Sequence, residues 1–272
     1  MASYATPSDL NTYTGQTVDP ALAQLLLDTA TQAVDSYCNR TFQLTSTTEL
    51  YYGNNSNTLM LRNYPVLKLT TVRIVMPGEL QFNIPVSQLL VQPEIGKVVN
   101  YTPLMFQTLG YAAVFPDSIP IRVEYTYGPR AMVSGDSGTA DSQYKTYTFS
   151  NKNWFQTAPV NVYKNGQLLK PGVDYTADYD NGTITLTNAV AESDVITADY
   201  WYYQVPSDIK LATLMLATKQ LNLPKNNKLM MASRGDSDFK VQYGVVDALA
   251  AMDQQVSSLL ASYKRKGCGD GY

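Results

Sequence analysis

Apolar residues recur at three- and four-residue steps from Leu22 through Leu25/Leu26, Ala30 and Ala33/Val34 to Tyr37. That spacing predicts one core-facing stripe on a helix of about five turns. Asp19 is placed to cap its first turn and Pro20 suits the first helical position. Asn39 fits the left-handed cap, and Arg40 complements the negative end of the dipole. Upstream, Thr6-Pro7-Ser8-Asp9 carries the marks of a capping box opening a short helix that Gly15 ends. After Phe42 the period changes to two. Residues 49–52, 58–61 and 71–75 read as short strands, broken at 53–57 and at Asn63-Tyr64-Pro65. Prolines at 77, 85, 93, 103, 116 and 120 divide the stretch from 77 to 120, which predicts an irregular, edge-rich sheet. Residues 121–127 close it with clean alternation.

The character of the chain changes at Gly128-Pro129. Residues 131–143 are small and polar, and a second alternating pattern runs over 145–150, 160–163, 168–169, 173–177, 183–186 and 195–203. Asn165-Gly166 and Asn181-Gly182 sit between those runs as hairpin turns. Helices return at Pro206-Ser207-Asp208. The helix from Ile209 is apolar almost all round, so it needs cover on more than one side, from the fold or from a neighbouring subunit. Leu211, Leu214 and Met215 are therefore candidate subunit contacts. A short strand at 239–243 precedes a final helix capped by Asp247, carrying Leu249, Met252, Val256, Leu259/Leu260 and Tyr263 and ending in Lys264-Arg265-Lys266. The order predicts an α+β fold: a helical core with a small irregular β-sheet in 1–129 and 204–272, and an inserted all-β, sandwich- or barrel-like domain at 130–203.

Composition narrows the function. None of the 272 residues is histidine, which removes the Ser–His–Asp and Cys–His triads and the His-ligated metals. The expectation is a protein that is not an enzyme and holds no metal or cofactor. Two cysteines are too few for a disulfide framework or a zinc site, and no long apolar run or export leader is evident. A net charge of −3 and a pI near 5.0 argue against coating nucleic acid. The 21 tyrosines favour strands and protein–protein contacts alike. Trp154, Phe155, Trp201 and Tyr203 form a candidate ligand or partner surface on the inserted domain, against the plainer reading that they cover a small sheet. The alternative function that surface suggests is a carbohydrate-binding or adhesin-type module. Arg234-Gly235-Asp236-Ser237 reads as a glycine turn rather than an adhesion motif. Asp174, Asp178 and Asp180 lack the spacing of a calcium loop.

Several separated pieces carry a family likeness. They are Tyr4-Ala5-Thr6-Pro7-Ser8-Asp9-Leu10 with residues 25–42, Leu59-Met60-Leu61-Arg62-Asn63-Tyr64-Pro65-Val66, and Ile121-Arg122-Val123-Glu124-Tyr125-Thr126-Tyr127-Gly128. Val205-Pro206-Ser207-Asp208-Ile209-Lys210, Gly235-Asp236 and Leu259-Leu260-Ala261-Ser262-Tyr263 complete the series. In this order they resemble the head–tail connector (adaptor) proteins of tailed double-stranded-DNA bacteriophages, while 130–203 is similar to small β modules of phage structural proteins. The resemblance implies a helical connector core in a dodecameric ring beneath the portal protein, with a tail or stopper protein on the opposite face. It implies double-stranded DNA passing through the lumen without sequence-specific binding, and location in the virion. It also assigns portal docking to the C-terminal segment, hence to Leu259, Leu260, Tyr263, Lys264, Arg265 and Lys266.

Overall fold

A computed structural model describes residues 3–76, 81–100, 114–222 and 253–264. The chain divides into two compact units, Met1–Gln43 with Val205–Tyr272, and Leu44–Gln204. The expected strand at 239–243, the Arg234-Gly235-Asp236-Ser237 turn, and Asp247, Leu249, Met252, Arg265 and Lys266 lie outside the described residues.

The first unit is helical. In α1 (Pro7–Thr14) the capping box forms in full: the Asp9 N–H donates to the Thr6 hydroxyl, and the Thr6 N–H to the Asp9 carboxylate at 2.8 Å. At α2 (Pro20–Cys38) the Asp19 carboxylate accepts the N–H groups of Ala21 and Leu22, each at 3.1 Å, and Asn39 takes the left-handed cap. The stripe expected on α2 is rotated from the one observed. Ala23, Leu27, Ala30, Thr31, Val34 and Cys38 are buried, whereas Leu22, Leu25 and Tyr37 are 44%, 63% and 39% exposed. Apolar residues occupy a wide arc of this helix, and the small side chains of Ala23, Ala30 and Cys38 allow the closer approach of a neighbour. That neighbour is α3 (Ser207–Asn222). Residues 253–261 form α4.

α3 is covered by its own chain. Ile209, Ala212 and Met215 pack with Tyr4, Val34, Cys38, Phe42, Val256 and Leu260. Leu214, Ala217 and Leu221 pack with Leu10, Val18, Ala23 and Leu27. Most of its apolar surface is thus met by α1, α2 and α4, while Leu211 stays partly exposed.

The second unit is all β. One antiparallel sheet runs β1 (Thr45–Tyr51), β7 (Ile121–Tyr127), β3 (Val66–Val75), β4 (Gln81–Ile84). Another runs β2 (Thr58–Met60), β6 (Lys97–Asn100), β5 (Leu89–Gln92). They share a core that includes Leu59, Val72, Val98, Ile121, Val123 and Tyr125. Downstream, β8 (Arg130–Ser137), β9 (Thr139–Ala140), β10 (Thr146–Thr148), β11 (Asn161–Lys164), β12 (Gln167–Leu168), β13 (Tyr175–Asp178), β14 (Thr183–Leu186) and β15 (Ile196–Tyr203) make two further sheets. Their orders are β12-β11-β15-β8 and β13-β14-β10-β9, over a common core of Tyr147, Trp154, Val162, Tyr175, Ile184, Ile196 and Tyr200. Asn165-Gly166 turns β11 into β12. At the β13–β14 turn Gly182 has φ +67°, and a side chain there would begin 2.1 Å from the Asn151 carbonyl oxygen.

A helical connector core with a small irregular sheet is therefore not what this chain builds. Among the described residues it is mainly β, with fifteen strands in four antiparallel sheets against four helices. The prolines explain the difference. Pro85 and Pro93 sit at the starts of 3-10 turns, and Pro120 directly precedes β7, so these punctuate the sheets instead of breaking a ladder.

Candidate functional site

The C-terminal residues assigned to docking fall partly inside the first unit. Leu260 is 1% exposed, and Leu259 and Tyr263 pack against the same cluster. The Tyr263 ring stands edge-on to Phe42 at 5.7 Å, and its hydroxyl donates to Asp208 at 3.2 Å. Lys264 is exposed, with its ammonium 5.4 Å from the Tyr37 ring centroid. Of this set, Lys264 is the described residue most open to a partner. On α3, Leu214 and Met215 are buried and Leu211 is 38% exposed.

Beneath the C-terminal segment lies a polar hub that sequence reasoning missed. The Tyr4 hydroxyl donates to Asp35 and accepts the Phe42 N–H at 2.7 Å, with the Thr41 hydroxyl 3.2 Å away. Burial, then the Asp35 carboxylate, hold the Tyr4 phenol well above its ordinary range. Burial also raises Asp35, opposed by the hydrogen bonds from Tyr4 and Thr41. A carboxyl raised in the folded state contributes stability that is complete below its unfolded pKa of about 4 and fades as pH rises through the folded value. The urea midpoint of the natural protein, taken relative to Asp35→Asn, should accordingly fall as pH is raised above about 4 and then level off. A difference that does not change with pH would refute the assignment.

In the second unit the aromatic candidates separate into two kinds. Trp154 and Phe155 are 0% and 1% exposed, so neither ring is offered to an outside ligand. Trp201 and Tyr203 are half-buried and pack on a small cluster of Leu67, Phe155 and Ala158. This cluster joins the β8–β15 sheet to the beginning of β3. The Phe155 N–H donates to the Trp201 carbonyl at 2.8 Å, Gln156 N–H to Leu67 at 2.9 Å, and the Thr157 hydroxyl to Val66 at 2.6 Å. Arg130 lies over the Trp201 ring, 3.9 Å from its centroid, and pairs with Glu94. Nothing in the local pattern around Arg130 pointed to that cross-sheet role.

A second missed constellation fixes the Arg62-Asn63-Tyr64-Pro65 turn. Glu49 accepts the hydroxyls of Tyr51 and Tyr125, the latter at 3.0 Å. Those hydroxyls in turn accept the Arg62 N–H at 3.0 Å and the Asn63 N–H at 3.2 Å, and the Asn63 amide donates to Glu49 at 3.0 Å. Burial raises both phenols. These groups are held neutral and close their bonds on one another, an arrangement that anchors a loop. Among the described residues no cluster of three or more Cys, Asp or Glu is placed to hold a metal ion, and no helix is long and apolar enough to cross a membrane.

No family model and no curated protein matches the chain. Among solved structures it is similar to a chain of the "Neck of empty GTA particle computed with C6 symmetry", with a TM-score of 0.47 and 10% sequence identity over 100% of this chain and 96% of that one.

Proposed function

We propose that this protein is a structural, non-enzymatic subunit of a phage-type head–tail connector, an adaptor that assembles as a ring under the portal. The ring gives DNA its passage and presents the docking surface for a tail or stopper protein. The observation that carries this reading is where the separated pieces of the family likeness lie. Tyr4 and Phe42 from the opening pieces, Val205 and Ile209 from the fourth, and Leu259, Leu260 and Tyr263 from the last meet in one cluster. Asn63 of the second piece and Tyr125 of the third meet at the turn anchored by Glu49. Residues that match the connector pattern are thus those that close these cores, which gives their order in the chain a structural reason. Residues 130–203 are read as an insertion into that framework. Pairing of Arg130 with Tyr203 brings the ends of the stretch together, as an insertion into a surface loop requires.

The test is assembly. Native mass spectrometry and negative-stain imaging of the protein mixed with its portal should give rings, and Lys264→Glu should weaken co-assembly while leaving the fold intact. A species that stays monomeric and ignores the portal would end this reading. The adhesin alternative draws no support from Trp154 or Phe155, which are internal.

A further inference from the structure

The β1-β7-β3-β4 sheet carries two arginines at directly opposed positions, Arg73 on β3 and Arg122 on β7. Their strand neighbours Val72, Ile74, Ile121 and Val123 are buried in the core, so alternation puts both arginines on the other face. Register sets them in one row with Leu50 of β1 and Asn83 of β4. Like charges directly opposite one another destabilise an antiparallel pair.

Neither makes an ion pair among the described residues. Arg130, Lys164, Lys210 and Lys219 each have a carboxylate partner, whereas neither Arg73 nor Arg122 has one, and the Arg73 Nε is buried without a hydrogen-bond acceptor. Glu124, two residues along β7, accepts the Thr71 hydroxyl at 3.3 Å and makes no ion pair with either arginine. Thr48 and Thr71 flank Glu124 in the adjacent row, so hydroxyl groups lie beside the pair.

We infer that Arg73 and Arg122 form a binding site for a phosphate-type oxyanion on this sheet face. A tetrahedral dianion matches the two positive charges and has enough oxygens to accept from the terminal N–H groups of both planar guanidiniums. Hydroxyl side chains beside arginine are also the donors that phosphate groups use in nucleic-acid complexes. Phosphate oxygens arrive as the free anion or, with one negative charge per phosphodiester, as the backbone of DNA. The site stands independently of the connector reading.

Two measurements test it on the full chain. The melting temperature should rise with inorganic phosphate at constant ionic strength, and the Arg73→Gln/Arg122→Gln double variant should lose that rise apart from the general salting effect of phosphate. Without phosphate the double variant should be at least as stable as the natural protein, because the opposed charges are gone. Fluorescence anisotropy with a short labelled DNA duplex separates the sources. At a slope of about −0.9 per phosphate neutralised, the double variant should bind with a log–log salt slope shallower by about 1 if a backbone phosphate is the ligand. Phosphate stabilisation without duplex binding assigns the site to the free anion. Equal phosphate shifts in both proteins, or a double variant that is less stable in phosphate-free buffer, would overturn the site.

Discussion

Trp154→Ala should remove about 3–5 kcal/mol from the stability of the second unit, the usual range for deleting a fully buried aromatic side chain. The ring is 0% exposed and stacks on Tyr200 at 4.1 Å, with Phe149 edge-on at 5.6 Å. Its Nε1–H donates to the Asn151 carbonyl at 2.8 Å, so truncation leaves an acceptor unpaired as well as a cavity. Since the same core includes Tyr147 and Ile184 of one sheet and Val162 and Ile196 of the other, the loss loosens both sheets. Urea unfolding followed by the fluorescence of the remaining tryptophan, Trp201, measures it. A loss below about 1 kcal/mol would contradict the burial, and a protein that kept its stability but lost a ligand would restore the surface reading of this residue.

Phe42→Ala should cost the first unit a comparable amount, about 3–5 kcal/mol. Phe42 is 1% exposed, with Tyr4 and Tyr263 edge-on at 6.0 and 5.7 Å and the Arg40 guanidinium 4.9 Å from its centroid. It follows α2 directly and contacts residues near both ends of the chain, so its removal weakens the seat of residues 259–264. Limited trypsin digestion should cut sooner at Lys264 in the variant, alongside the drop in urea midpoint. Unchanged cleavage together with an unchanged midpoint would mean that Phe42 does not anchor that segment.

Much of the local structure is legible in the residues themselves. Thr6 and Asp9 satisfy each other's backbone donors, Asp19 and Asn39 mark the ends of α2, and Asn165-Gly166 makes a tight turn, because each device is completed within a few residues. The candidate site is less so. Leu259, Leu260 and Tyr263 are visible as an apolar helix end, but their partners Tyr4 and Phe42 lie more than two hundred residues away. The Glu49–Tyr51–Tyr125–Asn63 anchor and the Arg130–Glu94 pair likewise join positions whose spacing has no period to detect.

What local chemistry set in this protein is the list of helices, turns and alternating runs, since caps, glycine turns and side-chain period act over a few bonds. Which side of α2 faces inward was left to long-range packing: its apolar arc is wider than one interface, and α3 settled on the alanines while Leu22 and Leu25 stayed outside. The balance between helix and sheet went the same way. Pairing of β1, β7 and β3 depends on register between distant strands, and that register also brought Arg73 opposite Arg122.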